Sequence, residues 1–305
     1  MRALVIGASG QVGAALHARL AARGHSVIGT HDRVPQPSTR PLQITDAAAT
    51  EKLIAETASD WVFCPAGLTH VDYCEDHPDE AVRVNCDGPA VAARAAARRR
   101  AGFVYYSTEY IFDGRSGPYA EDDPPHPISV YGRSKLEGER AVSDANPHAL
   151  VLRTTVVYGP EPQGKNFVYR LVRQARTGER VTVPADQRSS PTYNQDLAAA
   201  VVELAERGVS GVLHVAGPMV LDRHAFALVA CDVFGLDRSL MVPVATAELG
   251  QRAARPLNAG LRVNRARALL TVGLLGPREG LTAMRKAVER AGAGGGSVDT
   301  PAAPL

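Results

Sequence analysis

The chain has 305 residues, enough for one large domain or a core with a smaller lobe. It is 45% hydrophobic and 22% charged with a net charge of +2, an ordinary globular balance that argues against nucleic-acid and membrane partners. No apolar run reaches the ~20 residues a membrane helix requires.

Residues 3–6, Ala-Leu-Val-Ile, read as a buried strand. The turn Gly7-Ala8-Ser9-Gly10-Gln11-Val12-Gly13 follows, and a helix is predicted over 14–23. A strand, a glycine turn and a helix place free backbone N–H groups and a positive helix end where a pyrophosphate can sit. Gly7 permits the turn, Gly10 lets the backbone approach a phosphate, and Gly13 lets the helix pack on the strand. The spacing is G-x-x-G-x-x-G rather than the usual dinucleotide fingerprint. This opening run is also too short for a signal peptide.

A strand is predicted at 26–30, then a polar loop at 31–41. Asp46 is placed as the cap of a helix over 47–57. A strand at 61–64 ends at Pro65-Ala66-Gly67, and one long helix is predicted over 78–100. Arg98, Arg99 and Arg100 close that helix, where cations are favoured. A strand at 103–106 ends at Ser107-Thr108, a helix covers 129–143, and a strand lies at 149–153. Such alternation implies an α/β, Rossmann-type doubly wound parallel sheet, with ligands beyond the carboxyl ends of its strands.

Beyond about residue 155 the pattern loosens. Helices are expected at 166–176, 194–207 and 221–235, and strands at 181–183 and 211–215. Residues 1–155 are therefore read mainly as a dinucleotide-binding domain. Residues 156–291 are read as further sheet strands plus a small substrate lobe. The Gly-, Ala- and Pro-rich tail at 292–305 is expected to be disordered. Cys64, Cys74, Cys86 and Cys231 form no C-x-x-C pair, so reduced thiols and a cytoplasmic location are expected.

Tyr131 and Lys135 stand four residues apart on the helix predicted over 129–143, on one face. A phenol near pKa ~10 is a poor acid–base group at neutral pH, and a neighbouring ammonium is expected to lower it. The pair can then pass a proton to or from a substrate oxygen. Lys135 can also reach a cofactor ribose. Thr108, with Ser107, closes a sheet strand where its hydroxyl can bond the same oxygen.

Other positions follow from their place beyond strand ends. His31 and Arg33 favour the 2′-phosphate of NADP(H), and Asp32 keeps NAD(H) open. Gln43 and Ile44 border the adenine. Pro65, Ala66 and Gly67 lie against the pyrophosphate or ribose, with Thr69 and Val71 extending towards nicotinamide and substrate. Asp72, Glu75, Asp76 and His77 precede a helix, where acids are favoured, and no metal site is expected. His126, His148, His214 and His224 are read as structural, and Arg153 as a strand-end ion-pair residue.

The segments GASGQVG, PAGLTHVDYCED, STEYIFDG, VYGRSKLEGE, RTTVVYG with KNFV, DQRSSPT and ARPLNAGLR resemble an extended short-chain dehydrogenase/reductase. More narrowly, the chain resembles the dTDP-4-dehydrorhamnose reductase branch. That resemblance implies Thr108, Tyr131 and Lys135 as the catalytic trio. Tyr131 would protonate a sugar keto oxygen while a nicotinamide delivers hydride. The resemblance implies a nucleotide-sugar substrate contacted by Val71, Glu109, Tyr110, Val156, Asn166 and Arg255. A cofactor held by Gly7, Ser9, Gly10, Gln11 and Val12 is also implied, and a homodimer stays open.

Two positions depart from the branch. Glu109 stands where aspartate is usual, and Val156 where a tryptophan is common, leaving more room and no ring to stack on. The chain is also similar to the regulatory subunit of methionine adenosyltransferase. A non-catalytic dinucleotide-binding subunit is therefore one alternative, and a sugar-nucleotide epimerase or dehydratase another.

Overall fold

The computed structural model describes residues 1–293. Its first half runs β1 (Arg2–Val5), α1 (Gln11–Ala22), β2 (Ser26–His31), β3 (Thr39–Pro41), α2 (Ala47–Thr57) and β4 (Trp61–Cys64). Two short helices, α3 (Val71–Asp76) and α4 (Pro78–Val82), lead through a π-helical turn at Arg83–Asp87 into α5 (Gly88–Arg98). β5 (Gly102–Thr108), α6 (Val130–Ala145) and β6 (Leu150–Thr154) complete that half. The second half contains β7 (Val157–Tyr158), α7 (Phe167–Arg176), β8 (Val181–Pro184), β9 (Arg188–Ser189), β10 (Thr192–Tyr193) and α8 (Asn194–Glu206). It continues with β11 (Gly211–His214), β12 (Leu221–Asp222), α9 (Arg223–Phe234), β13 (Met241–Val244), α10 (Asn264–Leu269) and α11 (Pro277–Ala293).

Seven strands pair in parallel in the order β11-β6-β5-β4-β1-β2-β3. Their apolar runs are buried on both faces, as a parallel sheet between helical layers requires. On β5, Val104 and Tyr106 join Leu16, Leu20, Leu197 and Val201 on one face. Phe103 and Tyr105 join Ile54, Ala92, Ala96 and Val142 on the other. The chain leaves β1 towards β2 on one side and meets β4 on the other. That reversal opens a crevice at the carboxyl ends of β1 and β4. A separate core, with Tyr158, Val168, Leu171, Val183, Phe226 and Met284, holds the smaller lobe.

The structure corrects several expected elements. The polar stretch at 31–41 contains edge strand β3, whose Thr39, Arg40 and Pro41 carry no apolar signal. The helix expected over 78–100 is broken by the π turn and ends at Arg98, with Arg100 at a φ of 56°. Helix α3 (Val71–Asp76) has no counterpart among the predicted elements; its N-terminus is capped by the His70 ring, which accepts from Tyr73 N–H at 3.1 Å. Leu221–Asp222 pairs as a strand with β9 instead of opening the helix. Of the tail expected to be disordered, residues 294–305 lie outside the described residues.

Asp46 does cap α2, accepting from Ala49 N–H at 2.9 Å. Arg153 forms the expected ion pair, and it is buried. Its Nε and Nη2 donate to both Glu139 oxygens at 2.9 and 2.8 Å, with both side chains 6% exposed. This fork ties β6 to α6. Removing one partner strands a buried charge. Arg153→Met is expected to lower the unfolding free energy by about 3–5 kcal/mol, read from urea denaturation.

Candidate active site

The glycine turn is built by close backbone approach. Gly7 has a φ of 95°, and a Cβ there would come within 2.9 Å of the Ala66 nitrogen beyond β4. A Cβ on Gly13 would collide with the Gly7 carbonyl oxygen, so only glycine lets α1 start here. Gly10 caps α1 with no side-chain hydrogen bond, and its flank is open. The first N–H groups of α1 therefore face the crevice without a side-chain cap, as an anionic diphosphate needs. Gln11 Nε2 donates to Val157 O at 3.1 Å, and Gln163 Nε2 to Ser9 O at 3.2 Å, tethering the turn to the segments after β6. Val12 packs on the sheet core.

Beyond β2, the His31 Nδ1 lies 2.7 Å from Thr39 Oγ1, tying β2 to β3. Arg33 is 84% exposed, with Asp32 at 3.7 Å. Gln43 is exposed, and Ile44 is buried against Gly88, where a Cβ would come within 2.7 Å of its carbonyl. Pro65, Ala66, Gly67 and Thr69 follow β4 as a partly exposed strip, and Val71 opens α3.

Asn85, inside the stretch predicted as one helix over 78–100, fixes that strip. Its amide accepts from Leu68 N–H at 2.8 Å and donates to Leu68 O and to Ser134 Oγ, both at 3.0 Å. The extra residue of the π turn frees the backbone around it. Tyr105 Oη donates to Asn85 O at 2.6 Å. No sequence pattern marks a π turn, although such turns gather at functional sites.

Helix α6 starts at Ser129, whose Oγ accepts from Gly132 N–H at 3.1 Å. Tyr131 and Lys135 face inward from its first turns and are 8% and 4% exposed. Lys135 Nζ sits 4.0 Å above the Tyr105 ring centroid. A Cβ on Gly67 would lie 3.9 Å from Nζ, so the ammonium borders the strip after β4. Burial pushes Lys135 down to about 8. It pushes the Tyr131 phenol up, with the Glu109 carboxyl adding to the rise and the adjacent Thr108 hydroxyl opposing it. The expected lowering by Lys135 is thus corrected: the ammonium is spent on Tyr105, and desolvation governs the phenol.

Thr108 ends β5 in register with Thr154 of β6. Its Oγ1 donates to Glu109 Oε2 at 2.8 Å and accepts from Tyr110 N–H at 3.2 Å. Among the described residues, the buried hydroxyls of Ser107 and Thr154 near these strand tips have no protein partner.

A small cleft just beyond the tips of β5 and β6 is lined by Glu109, Tyr110, Val156, Gln187, Arg188, Ser189 and Arg223. Arg223, whose guanidinium lies 5.2 Å from the Phe167 ring centroid, gave no sequence signal because it opens a helix far along the chain. Val156 holds a φ of 37°, a strained setting for a β-branched residue. Thr192 N–H donates to its carbonyl at 3.1 Å. Arg255 pairs with Asp72 at 2.8 Å and lies 5.9 Å from the Tyr110 ring centroid, so it closes one end of this wall. Asn166 caps α7, accepting from Val168 N–H at 3.1 Å and donating to Gly159 O at 3.0 Å. No metal-binding group of His, Cys, Asp and Glu occurs among the described residues.

Residues 1–290 match the family described as the RmlD substrate binding domain. A dTDP-4-dehydrorhamnose reductase of Mycobacterium tuberculosis is 39% identical over 260 residues, covering 83% of this chain and 82% of that one. The crystal structure of dTDP-4-dehydrorhamnose reductase from Bacillus anthracis, in complex with NADP, superposes with a TM-score of 0.87 at 29% identity. It covers 94% of this chain and 99% of that one. Methionine adenosyltransferase 2 subunit beta of Bos taurus is 30% identical over 275 residues, covering 88% of this chain and 82% of that one.

The buried amide at 85 satisfies both backbone groups of Leu68, so its loss leaves them bare. Asn85→Leu is expected to cost about 1–3 kcal/mol per stranded group in denaturant unfolding, and to raise hydrogen exchange at Leu68.

Proposed function

The chain belongs to the RmlD substrate binding domain family, and on that premise we propose that it is an NADP(H)-dependent reductase of a keto group on a nucleotide-linked deoxysugar, of dTDP-4-dehydrorhamnose reductase type. One observation carries the reading. Thr108, Tyr131 and Lys135 are buried together beside a glycine turn suited to a diphosphate. Residues 1–155 would bind the dinucleotide, and residues 156–291 would hold the sugar nucleotide.

The residues present fit the dinucleotide. The uncapped N–H groups at the start of α1 and the close-packed Gly7 and Ala66 suit a pyrophosphate. Arg33, exposed beyond β2, suits a 2′-phosphate, and Lys135 suits a ribose hydroxyl beside Gly67. When bound, the nicotinamide supplies hydride to the carbonyl carbon. Tyr131 holds a proton at Oη and delivers it to the carbonyl oxygen as charge develops there. Its raised pKa keeps the phenol protonated, the form a reduction consumes. Thr108 offers a second hydroxyl to the same oxygen. Glu109, Tyr110, Val156 and Arg255 would border the sugar, with Asn166 holding the entry to α7.

A second reading, a dinucleotide-binding regulatory subunit, rests on the bovine relative. Co-purification with a methionine adenosyltransferase and no sugar reduction would favour it.

Mixing the protein with NADPH and dTDP-4-dehydrorhamnose should bleach the nicotinamide absorbance. Tyr131→Phe should cut kcat by about 10²–10⁴-fold while NADPH still binds. Arg33→Ala should weaken NADPH about tenfold and leave NADH unchanged. NADPH affinity should fall as pH rises through about 8, because burial makes Lys135 lose its charge there. Lys135→Met should abolish that dependence.

A further inference from the structure

The hydroxyl proton of Thr108 is already committed, and Glu109 holds it. Glu109 is 5% exposed, directly after the tip of β5. Thr108 Oγ1 donates to Glu109 Oε2 at 2.8 Å, and the Tyr110 N–H occupies a lone pair of Oγ1 at 3.2 Å. A hydroxyl carries one proton, and an ionised carboxylate can only accept. A ketone oxygen also can only accept. While Glu109 is ionised, Thr108 has nothing to give the substrate.

We propose that Glu109 is a positioning residue whose protonation releases the Thr108 hydroxyl to the substrate carbonyl, so that neutral Glu109 is the competent form. This rests on the reductase reading above and deepens it. A protonated Glu109 donates to Thr108 Oγ1, which then turns its own proton outward. The negative charge that opposes a more acidic Tyr131 is removed in the same event.

The surroundings divide into two sides. Thr108 and Thr155 place hydroxyls beside the carboxyl, and Arg223 from α9 adds a positive charge, all favouring ionisation. Tyr110 from its own segment and Tyr131 from α6 face it, and Arg188 from β9 lines the same cleft. Burial outweighs the ionising groups and holds the carboxyl above the usual carboxylate range. The neutral form therefore persists to higher pH than for an exposed glutamate.

Glu109→Gln tests this, because the amide Nε2 is a permanent donor to Thr108 in nearly the same shape. At saturating NADPH and dTDP-4-dehydrorhamnose, the native kcat should fall about tenfold as Glu109 ionises, one hydrogen bond to the reacting oxygen. In Glu109→Gln that limb should vanish, leaving kcat about tenfold above native at the high-pH end. In a Thr108→Val background the tenfold hydrogen-bond gain from the exchange at 109 should be lost, leaving only the smaller effect of the removed charge on Tyr131. A native-like pH limb in Glu109→Gln, or a uniform loss at every pH, overturns the proposal. A second readout needs no substrate. The infrared carboxylic-acid band that Glu109→Gln removes should titrate above the ordinary glutamate range, and Thr108→Val should move its midpoint upward. Absent turnover with a shifted midpoint overturns the reductase reading and supports the coupling. Turnover with an unshifted midpoint does the reverse.

Discussion

The site depends on how closely α6 lies on its neighbours. A Cβ at Gly132 would collide with the Tyr110 carbonyl, and one at Gly138 with the Asn85 carbonyl and Tyr105 Oη. Gly132 directly follows Tyr131, and the two glycines bracket Lys135. They bring the helix down to backbone contact at both ends of the reactive stretch. A larger residue at either would lift the phenol and the ammonium off the tip of β5. Arg153 and Glu139 then fasten the same helix to β6. The sheet, the π turn and α6 thus form one rigid frame, and loops close around it.

Close packing has an electrostatic price. Lys135, Tyr131 and Glu109 are all buried, and each is shifted towards its neutral form. Desolvation favours neutral species wherever no full counter-charge is supplied. For Lys135, the Tyr105 ring face gives partial compensation. A proton donor, a tunable cation and a protonatable carboxyl within one small region suit proton delivery to a developing alkoxide. The strained Val156 at the cleft wall is a further sign that local geometry here is held by its surroundings.

Much of the frame was legible because buried parallel strands are plain apolar runs. Residues 61–64 and 149–153 announced themselves in that way. Edge strand β3 did not, since Arg40 and Pro41 are exposed and need no apolar side chains. Helix α3 escaped because a histidine ring caps it. Within the site, Thr108, Tyr131 and Lys135 were readable from a strand tip and a helical spacing. Asn85 was not, because its role arises from a π turn that leaves no periodic trace. Arg223 was not, because only the fold of the smaller lobe brings it to Glu109. The sequence also misdirected the electrostatics: spacing puts Lys135 beside Tyr131, but only the packing shows the ammonium resting on Tyr105.

Glu109 and Val156 line the wall that, on the proposed reading, would meet the sugar. The wall is accordingly polar, with Arg223 and Gln187 lining the cleft with them. The proposed chemistry is tested most directly by following one atom. Incubation with NADPH deuterated at the transferable C4 position, and with dTDP-4-dehydrorhamnose, should yield a sugar product one mass unit heavier, with the label on the former carbonyl carbon. A dinucleotide that stays bound and keeps its deuterium, beside unchanged sugar, would contradict the account.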